Sequence, residues 1–158
     1  MSPLIIVVFI VLAVFGSIYI LKPSPRQQRL AELRLEAIKL GLQVKLETFK
    51  VDSKNMGVRN DITATRYERF NPAVKSQNLR WCIVRQAGWE QEGLAEGWSW
   101  NNVNQRPDLE KLTELLSRIG SDVQVIEVYD NRASVITIES KCSTAEHIND
   151  WIESAQQL

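Results

Sequence analysis

The longest apolar run of the chain lies near its N-terminus, from Leu4 to Leu21. It is uncharged, and a helix of this length spans about 27 Å, close to the hydrocarbon thickness of a bilayer. A buried core helix of the same length would show a polar face, and none is present. The residues before the run carry no basic side chain, and its end lacks small residues for cleavage, so a signal peptide is disfavoured. We therefore predict a transmembrane anchor at 1–22.

The pattern changes after the anchor, where two prolines cannot continue an upstream helix. Ser24 and Gln27 have the spacing of a capping box, Pro25 suits the first helical position, and Gly41 suits the residue that ends a helix. One face of the segment is apolar and the other basic. We therefore predict a basic juxtamembrane helix at 23–41.

Alternating and helical patterns then follow one another to the end of the chain. Strand-like patterns occupy 42–46, 63–70, 79–86, 123–129 and 133–140, whereas helical spacing runs from about 107 to 119 and from 143 onward. The segment 89–104 shows neither pattern. After the anchor the order is α-β-β-β-α-β-β-α, with short connections between strands. This order predicts one α+β domain at 42–158, with a mostly antiparallel sheet of about five strands and two to three helices.

Charge is strongly segregated although the formal net charge is zero. From Lys22 to Arg85 there are 14 basic and 6 acidic residues, and from Gln86 to Leu158 there are 5 and 13, so the two parts carry net charges of +8 and −8. Basic residues follow the apolar run and none precede it. The positive-inside rule then predicts a bacterial inner-membrane protein with a periplasmic N-terminus and a cytoplasmic domain. The bilayer is the predicted partner of four membrane-surface residues, Lys22, Arg26, Arg29 and Arg34.

Five tryptophans are an unusual number for 158 residues, and three of them, Trp89, Trp98 and Trp100, lie in one acidic segment. One interpretation is an exposed loop that docks a partner protein, since tryptophan is enriched at binding hot spots. The alternative is a loop held against its own domain by these aromatic side chains.

Small residues give a second candidate contact surface. Ala13, Gly16 and Ser17 lie on one face of the apolar run, where they could allow close packing on another helix, or could simply face lipid.

Residues that would support catalysis or metal binding are few. His147 is the only histidine and lacks neighbours at ligand spacing, while Cys82 and Cys142 do not form a CxxC motif. Both cysteines are expected to be free thiols that are buried or half-buried. Phosphate-binding and nucleophile-elbow motifs are absent from the sequence, and the basic residues are interleaved with acidic ones. We expect no cofactor, no metal, no enzymatic activity and no nucleic-acid partner.

Three short segments carry a resemblance to a known family. The motifs PSPRQQRL at 23–30, GLQV at 41–44 and GWSW at 97–100 resemble a family of uncharacterised proteobacterial single-pass membrane proteins. The layout of anchor, basic linker and small domain is also similar to the YajC-type auxiliary subunit of the Sec translocase. This chain is longer than that subunit and has additional elements after its tryptophan-rich middle.

These observations rank three hypotheses for function. The leading one is a membrane-anchored, non-enzymatic interaction or assembly module that binds another membrane or envelope protein. The first alternative is an auxiliary subunit of a protein translocase. The second is an enzyme acting at the membrane surface, which would need a cluster of polar groups that the sequence does not provide.

Overall fold

The computed structural model describes residues 3–20, 23–51, 61–88 and 90–158, with only the backbone described at 4 and 16–20. The chain divides into two compact units, 1–32 and 33–158. The first contains α1 (Pro3–Ile20) and the start of α2 (Pro25–Lys39). Ser24 and Gln27 form the predicted capping box, since the Ser24 backbone N–H donates to Gln27 Oε1 at 2.9 Å and the Gln27 N–H donates to Ser24 Oγ at 3.3 Å.

The predicted transmembrane anchor is contradicted. Within the described residues, no helix combines the length and the apolar character needed to cross a bilayer. The predicted single-pass inner-membrane localisation and its orientation depended on this anchor and are contradicted with it.

The second unit is built on a six-stranded antiparallel sheet. Its strands are β1 (Gln43–Phe49), β2 (Ile62–Phe70), β3 (Leu79–Val84), β4 (Ser99–Val103), β5 (Val123–Tyr129) and β6 (Arg132–Thr137). The order across the sheet is β1-β2-β6-β5-β3-β4. The α+β class and the antiparallel sheet are therefore correct, but the predicted strand number of about five is one too low.

The missed strand is β4, which falls in the segment that had no regular pattern. Its sequence, SWNNV, contains two asparagines and a serine, which are poor strand formers. Pairing with β3 includes a register shift between Cys82 and Ile83, which further disturbs any simple alternation. Strand β4 therefore depends on tertiary pairing more than on local preference.

Two further helices pack on one face of the sheet, α3 (Leu109–Arg118) and α4 (Ala145–Gln156). Leu112 and Leu115 of α3 join Ile148 and Ile152 of α4 in a core with apolar residues of the sheet. Helix α4 begins one residue later than predicted, because Thr144 rather than Ser143 is its N-cap and accepts from the His147 N–H. We call this side of the sheet the helix-bearing face.

The C-terminal part of α2 belongs to the second unit and packs on the same face through Leu33 and Ala37. Gly41 ends the helix region with a φ of +83°, as its predicted role requires. The opposite face of the sheet holds a smaller apolar cluster that includes Phe49, Cys82 and Ile136, together with several charged residues.

Candidate interaction surfaces

The two outermost strands of the sheet formed by the described residues are β1 and β4. Strand β1 pairs with β2 over its full length, from Gln43 opposite Glu68 to Phe49 opposite Ile62. Among the described residues, its backbone makes no backbone hydrogen bond beyond this ladder. An outermost strand carries N–H and C=O groups that point away from the sheet and can pair with another strand. With respect to the described residues, strand β1 is thus an open edge about 23 Å long.

Side chains of β1 alternate between the two faces. Leu46 is opposite Thr65 on the helix-bearing face and is 71% exposed, the second-largest exposed fraction among the large hydrophobic residues that the structure describes. Lys45 and Glu47 are on the opposite face, where their side chains are 57% and 33% exposed. The edge therefore presents a leucine on one face and a pair of opposite charges on the other.

Both charged residues of β1 are oriented by partners on the next strand. Lys45 Nζ donates to Glu68 Oε1 at 2.5 Å, and Arg66 Nε donates to Glu47 Oε1 at 2.6 Å. Because Lys45 and Glu47 are still partly exposed, each retains room for a second charged contact.

Arg66 continues this network into the sheet. It also donates to Glu127 and, at 2.7 Å, to Ser134 Oγ. Burial disfavours the charged form of Arg66, but the hydrogen bond to Glu47 and the charge of Glu127 outweigh it and raise its pKa. The network holds the charged side of β1 in one arrangement.

A second network fixes α2 on the helix-bearing face. Arg34 Nε and Nη2 donate to the two oxygens of Glu139 at 2.8 and 2.6 Å, and Nη2 also donates to Thr65 Oγ1 at 3.1 Å. The Tyr67 hydroxyl donates to Glu139 Oε1 at 2.5 Å. Burial alone would raise the pKa of Glu139, but these hydrogen bonds hold it below its ordinary value. Arg34, predicted to be a membrane-surface residue, forms an ion pair with Glu139 of the same domain.

The edge at β4 is constructed differently. The Trp100 N–H donates to the carbonyl of Glu90 at 2.8 Å, and the indole Nε1 donates to the carbonyl of Glu92 at 3.0 Å. Ser99 Oγ donates to the Gln86 carbonyl at 2.7 Å and accepts from the Gly88 N–H at 2.8 Å. The chain before β4 thus bonds to Ser99 and Trp100, the first two residues of this edge strand.

The tryptophans of this segment have a packing role. Trp98 and Trp100 are only 3% and 1% exposed, and the Arg85 guanidinium lies 4.6 Å from the centre of the Trp98 ring. This corresponds to the packed-loop alternative for these two side chains, so we do not assign them to partner binding. Trp89, the third candidate, lies outside the described residues.

The remaining candidates have the following positions. Ala13, Arg26 and Arg29 belong to the first unit, where Ala13 and Arg26 are exposed and Arg29 is half-buried. The side chains of Gly16 and Ser17, and all of Lys22, lie outside the described residues.

A shallow groove between α3 and α4 contains the only histidine. It consists of adjoining clefts of about 200 and 280 Å³ that share Leu115, Arg118 and Ser154. The His147 ring is stacked on half-buried Trp151, with ring centres 6.1 Å apart. The groove mixes acidic and basic side chains that ion-pair along the helix, as Arg118 and Glu114 do at 3.5 Å. We interpret it as a solvated helix–helix groove.

Cysteine and metal chemistry add no further site. Cys82 and Cys142 are both free; Cys82 is buried, as predicted for both, whereas Cys142 is exposed. Burial raises the pKa of the Cys82 thiol, which keeps it protonated. In the part of the chain that the structure describes, no three side chains of histidine, cysteine, aspartate and glutamate are placed to hold a metal ion.

Comparison with known proteins identifies no relative: neither a protein-family model, nor a curated protein, nor a solved structure matches the chain. The resemblance seen in the three sequence motifs is therefore untested and stays a prediction. Among the surfaces of the described residues, the β1 edge combines an outermost strand with a mostly exposed large apolar side chain.

Proposed function

We propose that this protein is an interaction module that binds a partner by strand addition along β1. The main support for this proposal is the exposure of Leu46, a large apolar side chain that is 71% exposed at the centre of an outermost strand. In strand addition, main-chain hydrogen bonds provide affinity and alternating side chains provide specificity. Strand β1 offers both, with its outward-pointing backbone groups and its ordered charged residues.

The surrounding structure supports this role because ion pairs to the neighbouring strand orient both charged side chains of β1. Two networks, one on each face, hold the neighbouring side chains and α2 in place. A partner strand would therefore meet a pre-formed edge and would not have to order it, which reduces the entropic cost of binding. The leading hypothesis from sequence, a non-enzymatic interaction or assembly module, is retained in this form without its membrane anchor.

Site-specific photocrosslinking in the organism that encodes the protein tests this function. A benzophenone amino acid replaces Leu46 in the full chain, and in a matched control it replaces Asn102, which is exposed on β4. We expect a discrete crosslinked product from position 46 and none from position 102, because Ser99 and Trp100 of β4 are already bonded to the preceding chain and leave that edge less able to add a strand. If position 46 gives no product, or both positions give the same one, strand addition at β1 is wrong.

A further inference from the structure

The sequence of β1 is complementary to itself. Around Leu46 the strand reads Val44-Lys45-Leu46-Glu47-Thr48, so the residues flanking the leucine carry opposite charges. If two copies of β1 pair antiparallel about a two-fold axis at Leu46, Lys45 of each copy faces Glu47 of the other. Opposite charges directly across an antiparallel pair are stabilising, and like charges are destabilising.

The same register also matches the apolar residues. Leu46 of one copy lies opposite Leu46 of the other on the helix-bearing face, and Val44 lies opposite Thr48. The paired leucines would bury each other's exposed surface, at about 25 cal/mol per Å² of apolar area. An isologous contact of this kind closes after two copies and leaves no free β1 edge.

Other registers lack this match. Paired residues of an antiparallel sheet share a face, so a two-fold axis that keeps like faces together must pass through a residue. An axis at Lys45 places two lysines opposite each other, and an axis at Glu47 places two glutamates opposite each other. Among these registers, only the one centred on Leu46 pairs Lys45 with Glu47.

Edge β4 offers no comparable contact. The Trp100 N–H is already bonded to the Glu90 carbonyl, and the strand contains no charged residue. Self-association through the sheet is therefore directed to β1.

We propose that the partner at the β1 edge is a second copy of this chain, paired antiparallel about a two-fold axis at Leu46. This inference depends on the proposed function and specifies its partner. It joins the two six-stranded sheets into one continuous sheet, with α2 of each copy near the junction.

Disulfide trapping tests the register directly. The full chain carries Cys142→Ser, which removes the exposed thiol, together with either Leu46→Cys or Thr48→Cys. In the proposed dimer the two Cα atoms at position 46 lie about 4.5–5.5 Å apart, within disulfide range. The two at position 48 are offset by four residues and lie about 14 Å apart. We expect a covalent dimer from Leu46→Cys and none from Thr48→Cys under mild oxidation.

Charge exchange provides a second, independent measurement. Lys45→Glu alone places two carboxylates opposite each other at both charged pairs of the dimer. We expect dimerisation, followed by sedimentation at several concentrations, to weaken about tenfold. The double variant Lys45→Glu with Glu47→Lys restores opposite charges across the junction and should restore dimerisation.

A more stable fold of the single copy cannot explain recovered dimerisation in the double variant. Within one copy the double variant faces like charges on the neighbouring strand at both positions. The new carboxylate at position 45 lies beside Glu68, and the new ammonium group at position 47 lies beside Arg66. Recovery of the dimer would therefore come from the contact between the two copies.

The outcomes separate the two proposals. Equal disulfide yields at 46 and 48, no disulfide at either position, or failure of the double variant to recover overturns the second-copy inference. If photocrosslinking at position 46 captures a different protein and the disulfide dimer does not form, strand addition stands and the inference about its partner is wrong. If position 46 captures this chain itself, both proposals are supported.

Discussion

The two edges of the sheet solve the same physical problem in opposite ways. An outermost strand exposes unpaired backbone groups, and proteins commonly cover such strands, shorten them or place charged residues on them. Strand β4 has five residues and is covered by the preceding chain, whose Glu90 carbonyl accepts from the Trp100 N–H. Strand β1 has seven residues, and its backbone makes no comparable bond among the described residues.

The side chains follow the same division. At β4 the side chain of Trp100 is 1% exposed, whereas at β1 the side chain of Leu46 is 71% exposed. Charged residues are absent from β4 and present on β1, where Lys45 and Glu47 are paired with the neighbouring strand. One edge strand is therefore bonded to and buried by its own chain, whereas the other leaves a large apolar side chain exposed.

The largest expected effect comes from breaking the covered edge. Trp100→Ala removes a buried indole and leaves the Glu92 carbonyl without its donor, so we expect the free energy of unfolding to fall by about 3–5 kcal/mol. The matched change at the open edge, Leu46→Ala, should alter it by no more than about 0.5 kcal/mol. Urea unfolding at low protein concentration measures both. Similar losses for the two variants would remove the distinction between the edges.

The next effect concerns the charge network beside β1. Arg66→Ala leaves Glu127 buried without its cationic partner, and we expect a loss of about 3 kcal/mol in the free energy of unfolding. Adding Glu127→Gln removes the unpaired charge and should recover part of the loss. A double variant that is no more stable than Arg66→Ala would show that the buried charge is not the cause.

Local patterns predicted most elements of the sheet and its helices. Alternation identified β1, runs of strand-forming residues identified β2, β3, β5 and β6, and helical spacing with capping residues identified the helices, because all these signals depend on neighbours in sequence. Strand β4 lacked such a signal, since its Asn101 and Asn102 do not favour strands. Its stability comes from Trp100, whose partners become visible only in the folded chain.

The candidate surface was harder to predict for a related reason. Leu42, Val44 and Leu46 gave the pattern of a half-buried strand, yet their burial decreases along the strand until Leu46 is mostly exposed. Only the strand order shows that β1 is outermost, and Arg66 and Glu127, separated by 61 positions, are likewise joined only by folding. The opposite charges of Lys45 and Glu47 on either side of Leu46 can be read from the sequence. They indicate a possible contact only once the strand order places β1 at an edge of the sheet.

A smaller effect on the free energy of unfolding, which depends on pH, is expected from Glu139. The pKa of Glu139 is lowered in the folded state from an ordinary value of 4.5, so its contribution to stability is complete above about pH 4.5. It is lost as the pH falls through the folded-state pKa, because protonation weakens the bonds from Arg34 and Tyr67. Glu139→Gln should therefore be less stable than the natural chain at pH 7, with a smaller difference near pH 3.5.

Urea unfolding at these two pH values measures the difference. Ser99 and Trp100 provide the contrast at the other edge, since their hydrogen bonds to the preceding chain use backbone groups that do not titrate in this range. A difference that stays constant between the two pH values would exclude Glu139 as the titrating group.

The smallest expected change in the free energy of unfolding comes from two glycines, each of which precedes one of the edge strands. Gly41 lies shortly before β1 and Gly97 shortly before β4; their φ angles are +83° and +84°, and a methyl group at either would meet no atom within 4 Å. Gly41→Ala and Gly97→Ala should each cost about 1 kcal/mol of unfolding free energy, because alanine disfavours this left-handed backbone. Asparagine, which tolerates it better, should cost less at both positions. Since the local geometry is the same, an unequal alanine cost would come from the strand that follows, and a larger cost at Gly97 would agree with an edge on which folding depends.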